Sequence, residues 1–435
     1  MKKFILSTVF LAVSFSVAAK DVTGGVYVAT NNADENSVVG YTQYSDGTLS
    51  KIGEFKTGGK GTGLVELFGL PYDPKSGHTF KDGIDPLAAA YGLWRSADNK
   101  NVLVVNAGDG TLTSLRVQDD LSLKVVNKIA AGDIKPNGIA SYKNYVYVAS
   151  MGKKVDDPSE GNIKGYTIDD KGVLKAMPDS VRVLSGRPAS IEVTPDGKYL
   201  IIVEITTGLV RSYAIGTDGE LSDQPVSMIY SPQANKNRFF ALPIGTKITK
   251  GENGNFTLLV TETRFIDSAR NFYNSTAEQK KKYPFLQRFQ GQTGSVTSYN
   301  IDKEGKLTMV SPDVLAGDDI WGGEQAVCWV TASKNGKYAW TTNPLTSSIS
   351  TYTVNSDGSI KLKKQVDYQD AKYDEYFLDM DLSADGNYVN VLSGNTGKAF
   401  VFKIDHQSGD LTKVGEYPGS ALIHSFGIVT IPYNK

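Results

Sequence analysis

The sequence predicts an all-β fold, a β-propeller of seven blades, and three observations lead to this prediction. A unit of four short strands recurs at intervals of roughly 50 residues along nearly the whole chain. Asp-Gly or Asn-Gly turns separate the apolar strands of the units, and the two ends of the chain complement each other. Four-stranded units repeated in this way are typical of propeller blades.

Residues 189–213 form the clearest unit. An alternating apolar strand leads to the turn Asp196-Gly197, a second apolar strand ends at Glu204, and a third strand ends at Tyr213. Another turn and a polar strand usually complete the unit. Further units with the same order begin near Tyr91, Asn137, Ala326 and Phe377.

The remaining two units are less regular. One has strands at 257–261 and 295–299, which a long insertion separates. The first unit begins at 25–30 without an innermost strand, and we expect the C-terminal run 425–431 to supply it. This pairing closes the ring, brings the total to seven blades and removes the exposed edges that an open sheet would have. A sandwich array or two smaller barrels would not explain the recurring strand order.

The N-terminus has the pattern of a secretory signal peptide. Lys2 and Lys3 precede an apolar stretch at 4–13, and small residues end at Ala19 just before Lys20. The apolar stretch is shorter than the roughly 20 residues that a membrane-spanning helix needs. We therefore expect a signal peptide over 1–19, a single propeller domain over 20–435, no membrane insertion, and a periplasmic or secreted protein.

Charge and cysteine content narrow the function classes. The chain has 46 basic and 47 acidic residues without a long block of either sign, which argues against nucleic acid or an anionic membrane as a partner. The one cysteine, Cys328, lies in an apolar run and is predicted to be a buried core residue. His78, His406 and His424 have no partner at metal-ligand spacing, so we predict no metal and no cofactor.

Blade geometry predicts where a site forms. The innermost strand of each blade starts, and the second strand ends, on the same face of the ring, so these positions surround one mouth of the central channel. Long irregular segments at 58–89, 151–161 and 265–294 are expected on this face, where such loops usually carry function or cover a pocket. The polar residues that the repeat assigns to this mouth are Asn137, Arg187, Glu204, Glu262, Arg264, Glu324, Gln325 and Tyr376.

Three of these side chains suit acid–base and anion chemistry. Arg187 and Arg264 offer planar cations for a carboxylate or an oxyanion, and Glu204 offers a carboxylate that can move a proton. The structural alternative is that these residues form ion pairs that brace adjacent blades.

Several motifs resemble those of the seven-bladed lactonase family, which includes 6-phosphogluconolactonase-type and carboxymuconate-cyclase-type propellers. The motifs are the glycine-rich run 58–61, the segment 104–110, Gly186-Arg187-Pro188 with the later 195–198 and 203–204, and the strand end 261–264. In the cyclase-type members the proposed active site combines one histidine, two arginines and one glutamate. The resemblance assigns the arginines to Arg187 and Arg264 and the glutamate to Glu204.

The family's histidine position is occupied by Asn137 in this chain. Asparagine can hold a substrate through hydrogen bonds but cannot transfer a proton. Ala189 also stands where many relatives have another histidine.

Two functions follow as hypotheses. The first is an exported lactonase-like enzyme that opens or forms a lactone of a carboxylated or sugar-derived small molecule, with Arg187, Glu204 and Arg264 as catalytic residues. The residues expected to bind its substrate are Asn137, Glu262, Glu324, Gln325 and Tyr376. The second hypothesis is a non-catalytic propeller that binds a ligand or a protein partner, which the missing histidines and the predicted export favour.

Overall fold

The computed structural model describes residues 20–63, 87–132, 135–152, 161–232, 241–265, 292–317, 324–372, 375–420 and 425–433. Within these residues the backbone forms 29 β-strands, together with 3₁₀ turns at Glu252–Gly254 and Pro344–Thr346. The strands make seven antiparallel sheets, one for each predicted blade, and the seven-bladed propeller is thereby confirmed.

The blades are numbered in chain order. Blades 1–3 comprise β1 (Val22–Ala29), β2 (Ser37–Tyr44), β3 (Leu49–Lys56); β4 (Leu93–Arg95), β5 (Asn101–Asn106), β6 (Thr111–Val117), β7 (Leu123–Ala130); β8 (Pro136–Tyr142), β9 (Tyr145–Ser150), β10 (Asn162–Ile168), β11 (Leu174–Ala176) and β12 (Arg182–Val183). Blades 4 and 5 comprise β13 (Pro188–Val193), β14 (Tyr199–Glu204), β15 (Leu209–Ala214), β16 (Ser227–Tyr230); β17 (Leu242–Lys250), β18 (Phe256–Phe265), β19 (Gln292–Ile301) and β20 (Leu307–Leu315). Blades 6 and 7, with the closing strand of blade 1, comprise β21 (Trp329–Ala332), β22 (Tyr338–Asn343), β23 (Ser348–Val354), β24 (Ile360–Gln369); β25 (Phe377–Leu382), β26 (Tyr388–Ser393), β27 (Ala399–Ile404), β28 (Leu411–Tyr417); and β29 (Ile428–Pro432).

The two ends of the chain close the ring in blade 1. Strand β29 pairs antiparallel with β1, with Gly24 opposite Pro432 and Val28 opposite Ile428. The C-terminal strand is therefore the innermost strand of the N-terminal blade, as predicted. Because each end completes the sheet begun by the other, unfolding of either end would open the whole ring.

Packing between blades explains which strands are buried throughout. The central strands β5 and β26 are buried at every residue, because neighbouring blades cover both of their faces. The outer strands β3 and β7 alternate between buried, half-buried and exposed positions, since the blades spread apart towards the rim. Cys328 is buried in the largest apolar cluster, and its prediction as a core residue is confirmed.

Some predicted features lie outside the described residues. These features are the signal peptide at 1–19, most of the segments 58–89, 151–161 and 265–294, and His78 and His424. Across the segments that the structure does describe, no helix is long and apolar enough to cross a membrane.

Candidate functional site

Residues 87–91 cross the central channel, and we call them the channel segment. All five are buried, with exposed fractions between 0% and 8%. Hydrogen bonds tie the segment to the innermost strands of five different blades. These bonds are Ile139 N to Tyr91 O (2.9 Å), Ala90 N to Ala189 O (2.8 Å), Tyr91 Oη to Thr246 O, Trp329 Nε1 to Ala89 O (2.9 Å) and Tyr91 N to Asp379 Oδ2 (3.2 Å).

The channel segment therefore lies inside the ring, against the innermost strands of five blades. Leu87, Ala89, Ala90 and Tyr91 belong to the same core cluster as Trp329 and Phe426, whose ring centroids are 6.4 Å apart. Ala88 and Tyr91 adopt positive φ angles of 42° and 65°, which non-glycine residues rarely do without support from their surroundings. The bonds to five blades supply that support.

A buried carboxyl group, that of Asp379, contacts the channel segment. Asp379 of β25 accepts backbone hydrogen bonds from Tyr91 and from Met380, the latter at 3.0 Å. Burial raises the pKa of Asp379 to about 7, although these two donors favour its ionised form. Burial also raises the pKa of the Tyr91 hydroxyl well above its ordinary value.

Asn137, Arg187 and Glu204 meet around Pro188 at the junction of blades 3 and 4. Asn137 is fully buried and its Nδ2 donates to Pro188 O at 2.7 Å. Pro188 pairs with Glu204 across the ladder of β13 and β14. Arg187, which directly precedes Pro188, is half-buried, and its Nη2 donates to Leu87 O at 3.0 Å. The structure thus brings three of the predicted residues together above the channel segment.

Glu204 is held by groups of its own blade. Its Oε1 forms an ion pair with Arg211 Nε at 2.5 Å, and its Oε2 accepts a hydrogen bond from Thr207 at 2.7 Å. The carboxylate is 0% exposed. Burial raises the pKa of Glu204, while Thr207 and Arg211 act in the opposite direction.

Glu262 and Arg264 form a separate buried cluster in blade 5. Arg264 Nη2 lies 3.3 Å from Glu262 Oε2, and Arg264 Nε lies 3.1 Å from Asp313 Oδ1. Ser295 and Thr297 also donate to Glu262 Oε2, at 3.0 and 2.9 Å. Burial raises the pKa of Glu262, and Arg264 opposes the rise. Arg264 Nη1 also donates to the carbonyl of Pro232 at 3.1 Å.

The other three predicted residues lie in blades 6 and 7. Glu324 is 1% exposed and accepts hydrogen bonds from Ser348 and from Gln365, the latter at 3.1 Å. Burial raises the pKa of Glu324. Gln325 is also 1% exposed, and its backbone N donates to Thr346 Oγ1 at 3.4 Å. Tyr376 is half-buried, and its backbone N donates to Asn395 Oδ1 at 2.9 Å.

Sequence reasoning missed two parts of this region. The first is Arg211, which follows Glu204 by seven residues, the same spacing that joins Asn106 to Thr113 and Asn343 to Ser350 by hydrogen bonds. That shared spacing was a usable signal for the partner of Glu204. The second is the channel segment, whose apolar run Leu87–Tyr91 precedes a strand without belonging to it.

The described residues offer no obvious ligands for a metal ion. Among them, no group of three or more aspartate, glutamate, histidine or cysteine side chains is arranged to bind one. His406 lies on an exposed turn, where its Nε2 is 2.9 Å from Asn387 Oδ1.

Known proteins that are similar to this chain share the seven-bladed architecture. The family model "Lactonase, 7-bladed beta-propeller" matches residues 292–421. A 6-phosphogluconolactonase of Formosa agariphila is 23% identical over 265 residues, which span 60% of this chain and 65% of that protein. A 6-phosphogluconolactonase of Serratia proteamaculans is 22% identical over 317 residues, which span 70% of this chain and 91% of that protein.

The solved structure of a periplasmic gluconolactonase from Pseudomonas aeruginosa has the same fold. It superimposes with a TM-score of 0.59 at 16% identity and covers 95% of this chain and 100% of that chain. The ring of seven blades, the matching family model and the two related sequences show that the chain is similar to the seven-bladed β-propeller lactonase family.

Proposed function

We propose that this propeller is an exported lactonase that opens a lactone of a small carboxylated or sugar-derived molecule at the mouth above the channel segment. Similarity to the lactonase family supports the reaction class. The proposal of export is supported by the signal-peptide pattern at 1–19 and by the name of the Pseudomonas aeruginosa propeller, a periplasmic gluconolactonase.

One observation carries the proposal for the site. Arg187 is half-buried and donates to Leu87 O of the channel segment, and the amide of Asn137 donates to the carbonyl of Pro188, the residue that follows Arg187. A planar cation held in this way suits a substrate carboxylate or the oxyanion that forms when a lactone carbonyl is attacked.

The proposed reaction assigns a role to each group at this junction. Water adds to the lactone carbonyl carbon, the ring C–O bond breaks, and the product is a hydroxy acid. Arg187 stabilises the negative charge on the carbonyl oxygen, and Asn137 orients the substrate by hydrogen bonding. Glu204 takes the proton from the attacking water and returns it to the ring oxygen. Burial raises the pKa of Glu204, the direction that favours its return of the proton to the ring oxygen.

A second candidate function is a non-catalytic propeller that binds a ligand or a protein. The observation in its favour is that Glu204 and Arg264, two of the three predicted catalytic residues, are engaged in ion pairs inside single blades. Such pairs stabilise the scaffold without any reaction. The replacement of the family's histidine by Asn137 points the same way.

Lactone hydrolysis, followed by NMR over a panel of sugar and carboxylated lactones, distinguishes the two functions. The protein is purified from the exported fraction, where an intact mass beginning at Lys20 tests the proposed cleavage. Turnover is expected in the wild type and is expected to fall at least 100-fold in Glu204→Gln and Arg187→Gln, the loss typical of a removed acid–base or oxyanion-stabilising group.

Asn343→Asp is the matched control. It makes the reverse exchange of amide and carboxylate at the same strand-end position of blade 6, where Asn343 bonds to Ser348 and Ser350. The control is expected to keep its turnover. Absence of turnover on every lactone, with a folded wild type, would favour the binding propeller. Equal turnover in wild type and Glu204→Gln would remove Glu204 from the reaction.

A further inference from the structure

Tyrosines link neighbouring blades on the face opposite the mouth. At four junctions a tyrosine at the start of a blade's second strand donates its hydroxyl to a backbone carbonyl in the outer hairpin of the next blade, the turn between its third and fourth strands. The pairs are Tyr145 with Thr217 O (3.2 Å), Tyr199 with Lys303 O (2.9 Å), Tyr338 with Gln407 O (2.5 Å) and Tyr388 with Ser45 O (3.0 Å).

Each of these rings lies directly on a glycine of the outer hairpin. A Cβ added to that glycine would come within 2.2–2.4 Å of the ring, so only glycine fits there. The glycines are Gly219, Gly305, Gly409 and Gly47, in the same order as the tyrosines. Four junctions thus show one type of aromatic contact, a ring on a glycine with its hydroxyl on a carbonyl.

The junction of blades 2 and 3 keeps the glycine but lacks the ring. Asn101 begins β5 five residues before the strand end Asn106, just as Tyr145 stands five residues before Ser150. Gly172 of the outer hairpin is present, and a Cβ added to it would lie 2.3 Å from Asn101 Oδ1. The Oδ1 atom is buried and has no hydrogen-bond partner.

The two other junctions are filled in different ways. Between blades 1 and 2, Tyr27 Oη donates to Leu121 O at 2.9 Å. Between blades 5 and 6, Ser356 of the outer hairpin hydrogen-bonds to Glu252. The shorter side chain of Asn101, by contrast, borders an open cleft of about 470 Å³ between blades 2 and 3.

Apolar, aromatic and charged residues line this cleft. Ile168 is a buried apolar wall and Tyr142 a half-buried aromatic one, while the charged lining residues are Asp98, Asp169, Asp170 and Lys143, with Lys100 lying 3.8 Å from Asp98. In the outer hairpin, Asp170 occupies the position that Thr217 and Lys303 occupy in blades 4 and 5, whose carbonyls accept the tyrosine hydroxyls. The cleft therefore combines apolar and aromatic walls, a backbone acceptor for a ring hydroxyl, and net negative charge.

We propose that this cleft is a second binding site, which takes a cationic aromatic amine whose ring carries a hydroxyl. The ring lies beside the Asn101 side chain, which itself covers Gly172, its hydroxyl donates to the backbone of the blade 3 hairpin, and the ammonium group lies among the carboxylates. The site is on the opposite face from the proposed lactonase site and does not depend on lactonase activity.

Three probes with the same ring and different charge test the proposal: tyramine, p-cresol and 4-hydroxyphenylacetate. Each is titrated into the full mature protein, and binding is measured from the shifts of the ligand and protein resonances in NMR. Tyramine is expected to bind at least tenfold more tightly than p-cresol, and 4-hydroxyphenylacetate is expected to bind weakest, because the cleft has net negative charge. An equal response to all three compounds would overturn the proposal.

Asn101→Tyr supplies the missing ring and is the blocking variant. It is expected to abolish tyramine binding, to keep or raise the melting temperature, and to leave lactone turnover unchanged. Tyramine binding that persists in a folded Asn101→Tyr variant would show that the cleft is not the site. In the wild type, intermolecular NOEs from the tyramine ring to the Ile168 methyl groups are expected whether or not the variant folds. Their absence at saturating tyramine would also refute the site.

Discussion

Blades 4 and 5 differ from blades 6 and 7 in how they compensate their most deeply buried carboxyl groups, the four that are at most 1% exposed. In blades 4 and 5 each of these groups has an arginine beside it, since Glu204 pairs with Arg211 and Glu262 with Arg264. In blades 6 and 7, Glu324 is bonded by Ser348 and Gln365, and Asp379 is bonded by backbone N–H groups. Among their described partners there is no cation.

The difference teaches that burial alone does not define a catalytic carboxylate in this fold. An arginine beside a carboxylate favours its ionised form, and removal of the arginine leaves buried negative charge without compensation. A carboxyl group with only neutral donors is pushed towards its protonated form, in which it resembles an amide. Replacing the carboxyl group by an amide should therefore destabilise the protein at Glu204 or Glu262 and leave its stability unchanged or higher at Glu324 or Asp379.

The largest effect is expected for Arg264→Met. Arg264 is 0% exposed and lies beside two carboxylates, Glu262 and Asp313, so its loss leaves buried negative charge. The free energy of unfolding is expected to fall by about 3–5 kcal/mol in urea titrations at pH 7. Arg211→Met removes the cation beside a single carboxylate, Glu204, and is expected to cost less. A loss under about 1 kcal/mol in Arg264→Met would contradict a structural role for this cluster.

Asp379→Asn is expected to stabilise the protein at alkaline pH. The pKa of Asp379 is raised from 3.8 to about 7 in the folded state, so the native protein binds this proton more tightly than the unfolded chain does. The stabilising contribution of the carboxyl is full below about pH 4 and is lost as pH rises through about 7.

The expected gain in Asp379→Asn is about 3 kcal/mol at pH 8 and near zero at pH 4, because three pKa units correspond to about 4 kcal/mol. Asparagine keeps an oxygen that can accept from Tyr91 N, the bond that holds the channel segment. Urea titrations of wild type and variant at both pH values measure the difference. A gain of equal size at pH 4 would show that packing, and not titration, is responsible.

The sequence predicted the fold more completely than the site. Turn glycines such as Gly197 and Gly336, both at positive φ, together with apolar strands of regular length, mark the blades because these features are local. The closing strand β29 was also predictable, since blade 1 lacked an innermost strand and the C-terminal run had no blade of its own.

The connections across the channel were harder to predict, because they join residues far apart in the chain. Tyr91 bonds to Thr246 and Asp379, and no periodicity in the sequence relates these positions. The partners of Glu204 and Arg264 also depend on side-chain direction within the blade. The repeat places a residue at the mouth, but it does not tell whether its charged group faces the mouth or a neighbour in its own sheet.

The same amide substitution in the two regions gives the smallest but most direct test. Glu204→Gln is expected to lower the free energy of unfolding by about 2 kcal/mol at pH 7, because the mostly buried Arg211 loses its counter-ion. Glu324→Gln is expected to change it by less than about 1 kcal/mol, because its partners Ser348 and Gln365 are neutral and no cation loses its counter-ion. Equal losses in both variants, measured by urea titration, would mean that the two regions do not differ.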